Sequence, residues 1–189
     1  MLVQTIHGRR AMETKRLYLR EMTDADLPAL CRILQDKDVM YAYAHAFSDA
    51  EAREWLDRQK ARYKQYGFGL WAVILKTSGE MIGQCGVTVQ DAGGRDALEV
   101  GYLFCRDAWG QGFASEAAQS CRDYAFRTLR ADEVVSIIRD NNFPSMRVAV
   151  RNGMLPRGGF VKQYYGLSMP HIVFSISRSE WEALQKSAK

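Results

Sequence analysis

The chain has no apolar run approaching the ~20 residues needed to cross a bilayer, and its opening stretch, MLVQTIHGRRAM, lacks the apolar core of a secretion signal. A cytoplasmic protein with no membrane partner is the expectation. None of the four cysteines, Cys31, Cys85, Cys105 and Cys121, stands in a CxxC pair. Scattered in this way they read as free thiols in a reducing compartment, not as a disulfide framework or a metal site. Internal repeats, low-complexity tracts and dividing linkers are also missing, so the 189 residues are expected to fold as one domain. One sign of charge barely prevails, with 26 basic against 22 acidic residues spread along the chain. Without a basic stripe, nucleic acid is not an expected partner, whereas a small anionic ligand is compatible with the balance.

What is present centres on residues 99–118, EVGYLFCRDAWGQGFASEAA. Val100 to Cys105 has the β-branched and aromatic composition of a strand. Gly110-Gln111-Gly112 then allows a sharp turn and close backbone approach to a ligand. From Ala114 onwards, Ala114, Ala117, Ala118, Cys121 and Ala125 recur on one helical face. The first turn of such a helix offers unpartnered N–H groups and the positive end of its dipole, which together suit a phosphate. The third glycine of the dinucleotide fingerprint and the Lys-Ser/Thr of nucleotide hydrolases are both absent. Taken alone, the stretch is either an anion site or an ordinary strand-to-helix turn.

Along the chain, residues 1–13 show no periodicity and read as an arm before a single domain over 14–189. Leu17-Tyr18-Leu19 is a first strand, Leu27 to Leu34 an amphipathic helix, and the Ser48–Glu51 capping box opens a second helix towards Gly67. Gly69–Lys76 and Met81–Gln90 form a hairpin, and the central strand and its helix lead to Glu133–Arg139. A short helix follows Asn142-Phe143-Pro144-Ser145 and stops near Gly153. Phe160–Leu167 and Ile172–Ser177 are two closing strands, with a terminal helix around Trp181. Hairpins followed by crossovers imply an α/β (α+β) domain with a mixed sheet covered by helices.

This order, with Trp109-Gly110-Gln111-Gly112-Phe113-Ala114 and Asn142-x-x-Ser145 in these places, resembles the GNAT superfamily of N-acetyltransferases. The resemblance spans about residues 14 to 184. Trp109 departs from the first residue of the common cofactor motif. The Trp-Gly-x-Gly-x-Ala form followed by Glu116-Ala117 is similar to the branch of ribosomal-protein N-terminal acetyltransferases. The resemblance implies a mostly antiparallel central sheet of about seven strands and acetyl-coenzyme A as the cofactor. It places the pyrophosphate on Gln111, Gly112, Phe113, Ala114 and Ser115, beside Trp109 and Gly110. The pantetheine arm is expected along Leu103, Phe104 and Cys105, within reach of Asn142 and Ser145. Arg106, Arg147 and Arg151 are candidates for the 3′-phosphate.

Acetyl transfer to an amine needs alignment, a proton acceptor, a donor for the developing oxyanion and an exit for the thiolate. Glu99, at the start of the central strand, is the candidate base. A backbone N–H near Phe104 is the candidate oxyanion donor, and Ser145 the candidate partner of the leaving sulfur. The resemblance excludes the tyrosine acid common in the family, because Ala149 occupies its position. Tyr41, Tyr43, His45 and Phe47 are candidate substrate contacts in the segment between the first two helices, with Tyr164 and His171 further candidates. The expected acceptor is a peptide N-terminal α-amine; a small amine, or a non-catalytic acyl-coenzyme A-binding module, is the alternative. A carboxylate-lined cavity is the mark of a polycation, and an open groove that of a peptide. The edge strands near the C-terminus leave a homodimer open.

Overall fold

The structure, a computed structural model, describes residues 8–187. Arg10–Glu13 (β1) and Leu17–Arg20 (β2) pair antiparallel before two helices, Leu27–Leu34 (α1) and Asp49–Tyr66 (α2). Leu70–Leu75 (β3), Met81–Asp91 (β4) and Asp96–Phe104 (β5) form an antiparallel meander. Phe113–Arg127 (α3) crosses to Glu133–Arg139 (β6), and Phe143–Arg151 (α4) leads into the hairpin Leu155–Tyr164 (β7) and Leu167–Ser177 (β8). Arg178–Ser187 (α5) closes the described chain.

Eight strands lie in the order β1-β2-β3-β4-β5-β6-β8-β7. The expected sheet of about seven gains β1, whose residues 10–13 fall in the expected arm. Its four residues, RAME, are too few to show a strand period, and Met12 pairs with Leu19 beside a register shift. The arm's residues 1–7 lie outside the described residues. The closing hairpin also differs, because its turn is Tyr165-Gly166, at φ +50° and +74°. A two-residue turn with both φ positive matches the right-handed twist of the strands it joins, so β7 and β8 run longer than expected.

Helices cover both faces. Leu30, Ile33 and Leu34 of α1, Ala52 and Leu56 of α2, and Leu70, Ala72 and Ile74 of β3 form one core. Ala117, Ala118, Cys121 and Ala125 of α3 form the other with Val73, Val87, Val100 and Phe104. The small side chains of α3 let it lie close on the sheet, as their spacing predicts. Asp26, just before α1, holds Arg20 of β2 through two bonds of 2.7 and 2.6 Å with both side chains buried, fastening α1 to the sheet. Ser48 and Glu51 form the expected capping box of α2, which ends at Gly67 with φ +77°.

Among the described strands, β5 and β6 are the one parallel pair, in register at Glu99 opposite Val135 alone. Beyond that rung they diverge, and a cavity of about 400 Å³ occupies the splay. No helix of the described residues is long and apolar enough to cross a membrane.

Candidate active site

Glu99 sits at the throat of the splay. Its Oε1 accepts the N–H of Ile137 at 3.1 Å, one residue pair past the point where the ladder stops. Side chains of β5 alternate: Leu103 joins the α1/α2 core while Val100 and Phe104 join the α3 core. Glu99 and Gly101 therefore share the face of Leu103. Gly101 leaves room there, since a Cβ on it would lie 3.9 Å from Glu99 Oε2. Burial pushes the Glu99 carboxyl above the ordinary range, opposed by the Ile137 amide and by Lys162 and Arg62. A half-buried carboxylate raised in this way is a better proton acceptor than one in water.

The end of the cleft where the sequence places the coenzyme lies at the other end of β5. Because Cys105 gives its N–H to Ile82 of β4, the alternation of an antiparallel ladder turns the amides of Tyr102 and Phe104 towards the splay. An extended ligand arm fits such an edge. The Phe104 carbonyl is occupied by the Trp109 indole N–H at 3.0 Å. Trp109 thereby ties the glycine turn to the end of β5, which gives this departure from the common motif a structural role. Gly110 and Gly112 take φ of +74° and +79°. Gly112 begins α3 without a side-chain cap, leaving the N–H groups of Phe113, Ala114 and Ser115 without intrahelical partners. These features fit a pyrophosphate.

Arg16, which sequence reasoning passed over, braces the same turn. Its Nη1 donates to the Gln111 carbonyl at 2.9 Å, and its guanidinium lies over the Phe113 ring. Glu116 accepts from Thr14, from the Arg16 amide and from Arg16 Nε at 2.6, 2.8 and 2.6 Å. Burial raises its pKa, but those bonds outweigh burial and hold it below the ordinary value. The carboxylate is thereby held in a local ion pair at the start of α3. Only the charged strand around Arg16 hinted at this brace.

Several candidates stand elsewhere than expected. Arg106 pairs with Asp38, with Asp36 at 3.9 Å, an exposed contact to the α1–α2 segment with which a 3′-phosphate would compete. A sequence separation of 68 hides that pairing. Phe47 is 6% exposed and belongs to the α1/α2 core, so it is not a substrate contact. His45 does not line the cavity; its Nε2 lies 2.7 Å from Glu51 Oε1, and its ring meets Tyr165 edge-on at 4.8 Å. Tyr165 also donates to Glu51 at 3.2 Å, so the β7–β8 tip bridges to the start of α2. Arg147 and Arg151 are exposed on α4.

Other candidates do converge. Tyr43, Leu103, Asn142, Ser145, Tyr164 and His171 line the cavity with Glu99. Asn142 Oδ1 caps α4 through the Ser145 amide at 3.2 Å and accepts from Tyr41 OH at 2.7 Å. Its oxygen is thus committed, and its amide nitrogen is the group left for a ligand. Tyr102 OH donates to the Ser145 carbonyl at 3.0 Å, and burial pushes that phenol's pKa up.

A mixed sheet splayed at one parallel rung, with a glycine turn at one end of the cleft and a carboxylate at the other, has the layout of an acyltransferase. Residues 16–155 match the family model described as Acetyltransferase (GNAT) domain, and the chain belongs to that family. It is 36% identical over 150 residues to the uncharacterized protein YkkB of Bacillus subtilis, covering 79% of this chain and 87% of that one. It is 30% identical over 173 residues to the uncharacterized N-acetyltransferase p20 of Bacillus licheniformis, covering 89% and 96%. Among solved structures it is similar to RimL, a ribosomal L7/L12 α-N-protein acetyltransferase in complex with coenzyme A. There the TM-score is 0.72 at 20% identity, over 89% of this chain and 98% of that one. At that identity the likeness concerns the fold alone.

Proposed function

We propose that this protein transfers the acetyl group of acetyl-coenzyme A to a primary amine held beside Glu99. The observation that carries the reading is the position of Glu99. It is a half-buried carboxylate of raised pKa at the throat of the splay, on the strand whose far end presents the Phe104 N–H and the uncapped glycine turn. Glu99 takes a proton from the attacking amine as the new C–N bond forms. The Phe104 N–H supports the charge that develops on the carbonyl oxygen, and the C–S bond breaks beside Ser145. A coenzyme thiol resembles a free thiol of pKa ~8.5, so its thiolate leaves without a strong acid.

For the acceptor, a peptide N-terminal α-amine follows from the branch resemblance and agrees with the name of RimL. A small amine is the second reading, favoured by the cavity of about 400 Å³ at Glu99, a size typical of small-molecule sites. The test is mass-spectrometric detection of product from acetyl-coenzyme A and a panel of N-terminal peptides, amino acids, aminoglycosides and polyamines. Acetylated peptide or small amine identifies the acceptor class. Tight acetyl-coenzyme A binding with no product from any amine would favour the non-catalytic module.

A further inference from the structure

The cavity wall around Glu99 is cationic. Arg58 and Arg62 from α2, Arg139 from the end of β6 and Lys162 from β7 all line it, and Glu99 is the one carboxylate among the lining residues. Two other basic residues of α2 are paired: Arg53 holds Asp24 at 2.8 Å, and Lys60 holds the same carboxylate at 2.8 Å. Among the described residues, Arg58, Arg62 and Lys162 have no carboxylate within 4 Å, the ion-pair limit met by those neighbours. Arg62 is half-buried, and both burial and the nearby Arg58 disfavour its charge. Cations crowded together and partly desolvated are costly unless an anion joins them.

The coenzyme's phosphates are not that anion. Glu99 and Phe104 are five residues apart on one strand, about 17 Å at ~3.3 Å per residue, and the glycine turn lies beyond Phe104. Arg62 and Lys162 belong to the Glu99 end, where both act on its carboxylate. Thr88, which pairs with Glu99, and Gln90 add polar groups to the same wall.

We propose that the acceptor amine carries an anionic group, a carboxylate or a phosphate, a few bonds from its nitrogen, and that Arg58, Arg62 and Lys162 bind it. The geometry sets the amine at Glu99 and its anionic end against α2 and β7. Polyamines and other polycations are thereby rejected, since the wall repels them and a single carboxylate faces them. The inference rests on the acetyltransferase reading for its chemistry, but the anion site is detectable without turnover.

The test uses the full chain and two matched series. The first is glycinamide, glycine, phosphoethanolamine and ethylenediamine; the second is a set of N-terminal peptides that are neutral, acidic or basic after the first residue. The expected kcat/KM is tenfold or more higher for the anionic members than for their neutral partners, chiefly through KM, and lowest for the cationic ones. In the Arg58→Gln/Arg62→Gln double variant the preference falls below about threefold while acetyl-coenzyme A affinity stays the same. The series that responds distinguishes a small anionic amine from an acidic peptide. Separately, calorimetry compares N-acetylglycine with N-acetylglycinamide as ligands of the protein saturated with coenzyme A. Tighter binding of the charged ligand, weakened in the double variant, supports the anion site even if no amine is acetylated, in which case the acetyltransferase reading alone fails. Equal binding of the two ligands with no turnover, turnover blind to charge, or a preference that survives in the double variant overturns the proposal.

Discussion

The two ends of the cleft are built differently. At the end assigned to the coenzyme in our proposal the groups free for a ligand are backbone N–H groups, on a turn shaped by Gly110 and Gly112 and braced by Trp109 and Arg16. At the end assigned to the acceptor they are side chains brought together from β5, α2 and β7. A backbone site depends on a local pattern and tolerates variation in the side chains around it, whereas a side-chain site is set by whichever residues the fold assembles. One end therefore suits a ligand common to a family, and the other a ligand particular to this chain.

The sharpest way to break that contrast is Gly112→Glu. It puts a side chain at φ +79° and a negative charge beside the uncapped start of α3. Acetyl-coenzyme A affinity should drop by more than about a hundredfold, with circular dichroism unchanged; calorimetry reads it, and retained affinity would remove the assigned phosphate site. Next in size, Glu99→Gln should lower kcat/KM about a hundredfold, the scale of general-base catalysis. Because the Glu99 pKa is raised, wild-type activity should fall as pH drops through a value above the ordinary carboxylate range. The variant should lose that limb and lie furthest below wild type between the pKa of Glu99 and that of the amine.

Helix α1 is anchored to β2 by Arg20 and Asp26, whose side chains are 11% and 7% exposed. Arg20→Met leaves a buried carboxylate unpaired and should cost about 3 kcal/mol in denaturant unfolding. Burial raises the Asp26 pKa, but bonds from Arg20 and Thr23 outweigh burial and lower it. The pair's contribution should therefore be complete above the unfolded pKa of ~3.9 and be lost as pH falls through the lower folded value. In Arg20→Met that acid-side loss should shrink. Ser145→Ala should slow turnover about fivefold, the worth of one hydrogen bond of ~1 kcal/mol, without altering acetyl-coenzyme A affinity. The smallest effect is expected for Arg106→Ala, because that cation is already paired with Asp38. Acetyl-coenzyme A affinity should stay within about twofold, the range of a surface ion pair.

The same contrast explains what was legible in the sequence. The glycine turn, the small-residue face of α3 and the short helix after Asn142 are patterns within a few residues, and each was readable where it stands. Glu99 reads in sequence as a carboxylate opening a strand, whereas β5 begins at Asp96 and holds it in the strand interior, and its place at the one β5–β6 rung depends on where two distant strands part. Arg58 and Arg62 stand four residues apart on α2, a spacing that by itself does not distinguish a ligand site from a solvated face. Their convergence with Lys162, a hundred residues on in sequence, exists only once β7 has folded back against β8. Phe47 misled for the same reason, since an aromatic in a loop reveals nothing of the core that claims it. The strand β1 was illegible because its four residues, Ala11 and Met12 between two charges, show no alternation.

The most direct test of the division between the two ends measures acetyl-coenzyme A affinity and the single-turnover acetylation rate on one preparation of Glu99→Gln, with wild type alongside. The account predicts an unchanged dissociation constant and a rate about a hundredfold lower. An unchanged rate, or a loss of coenzyme affinity that matches the loss of rate, would contradict it.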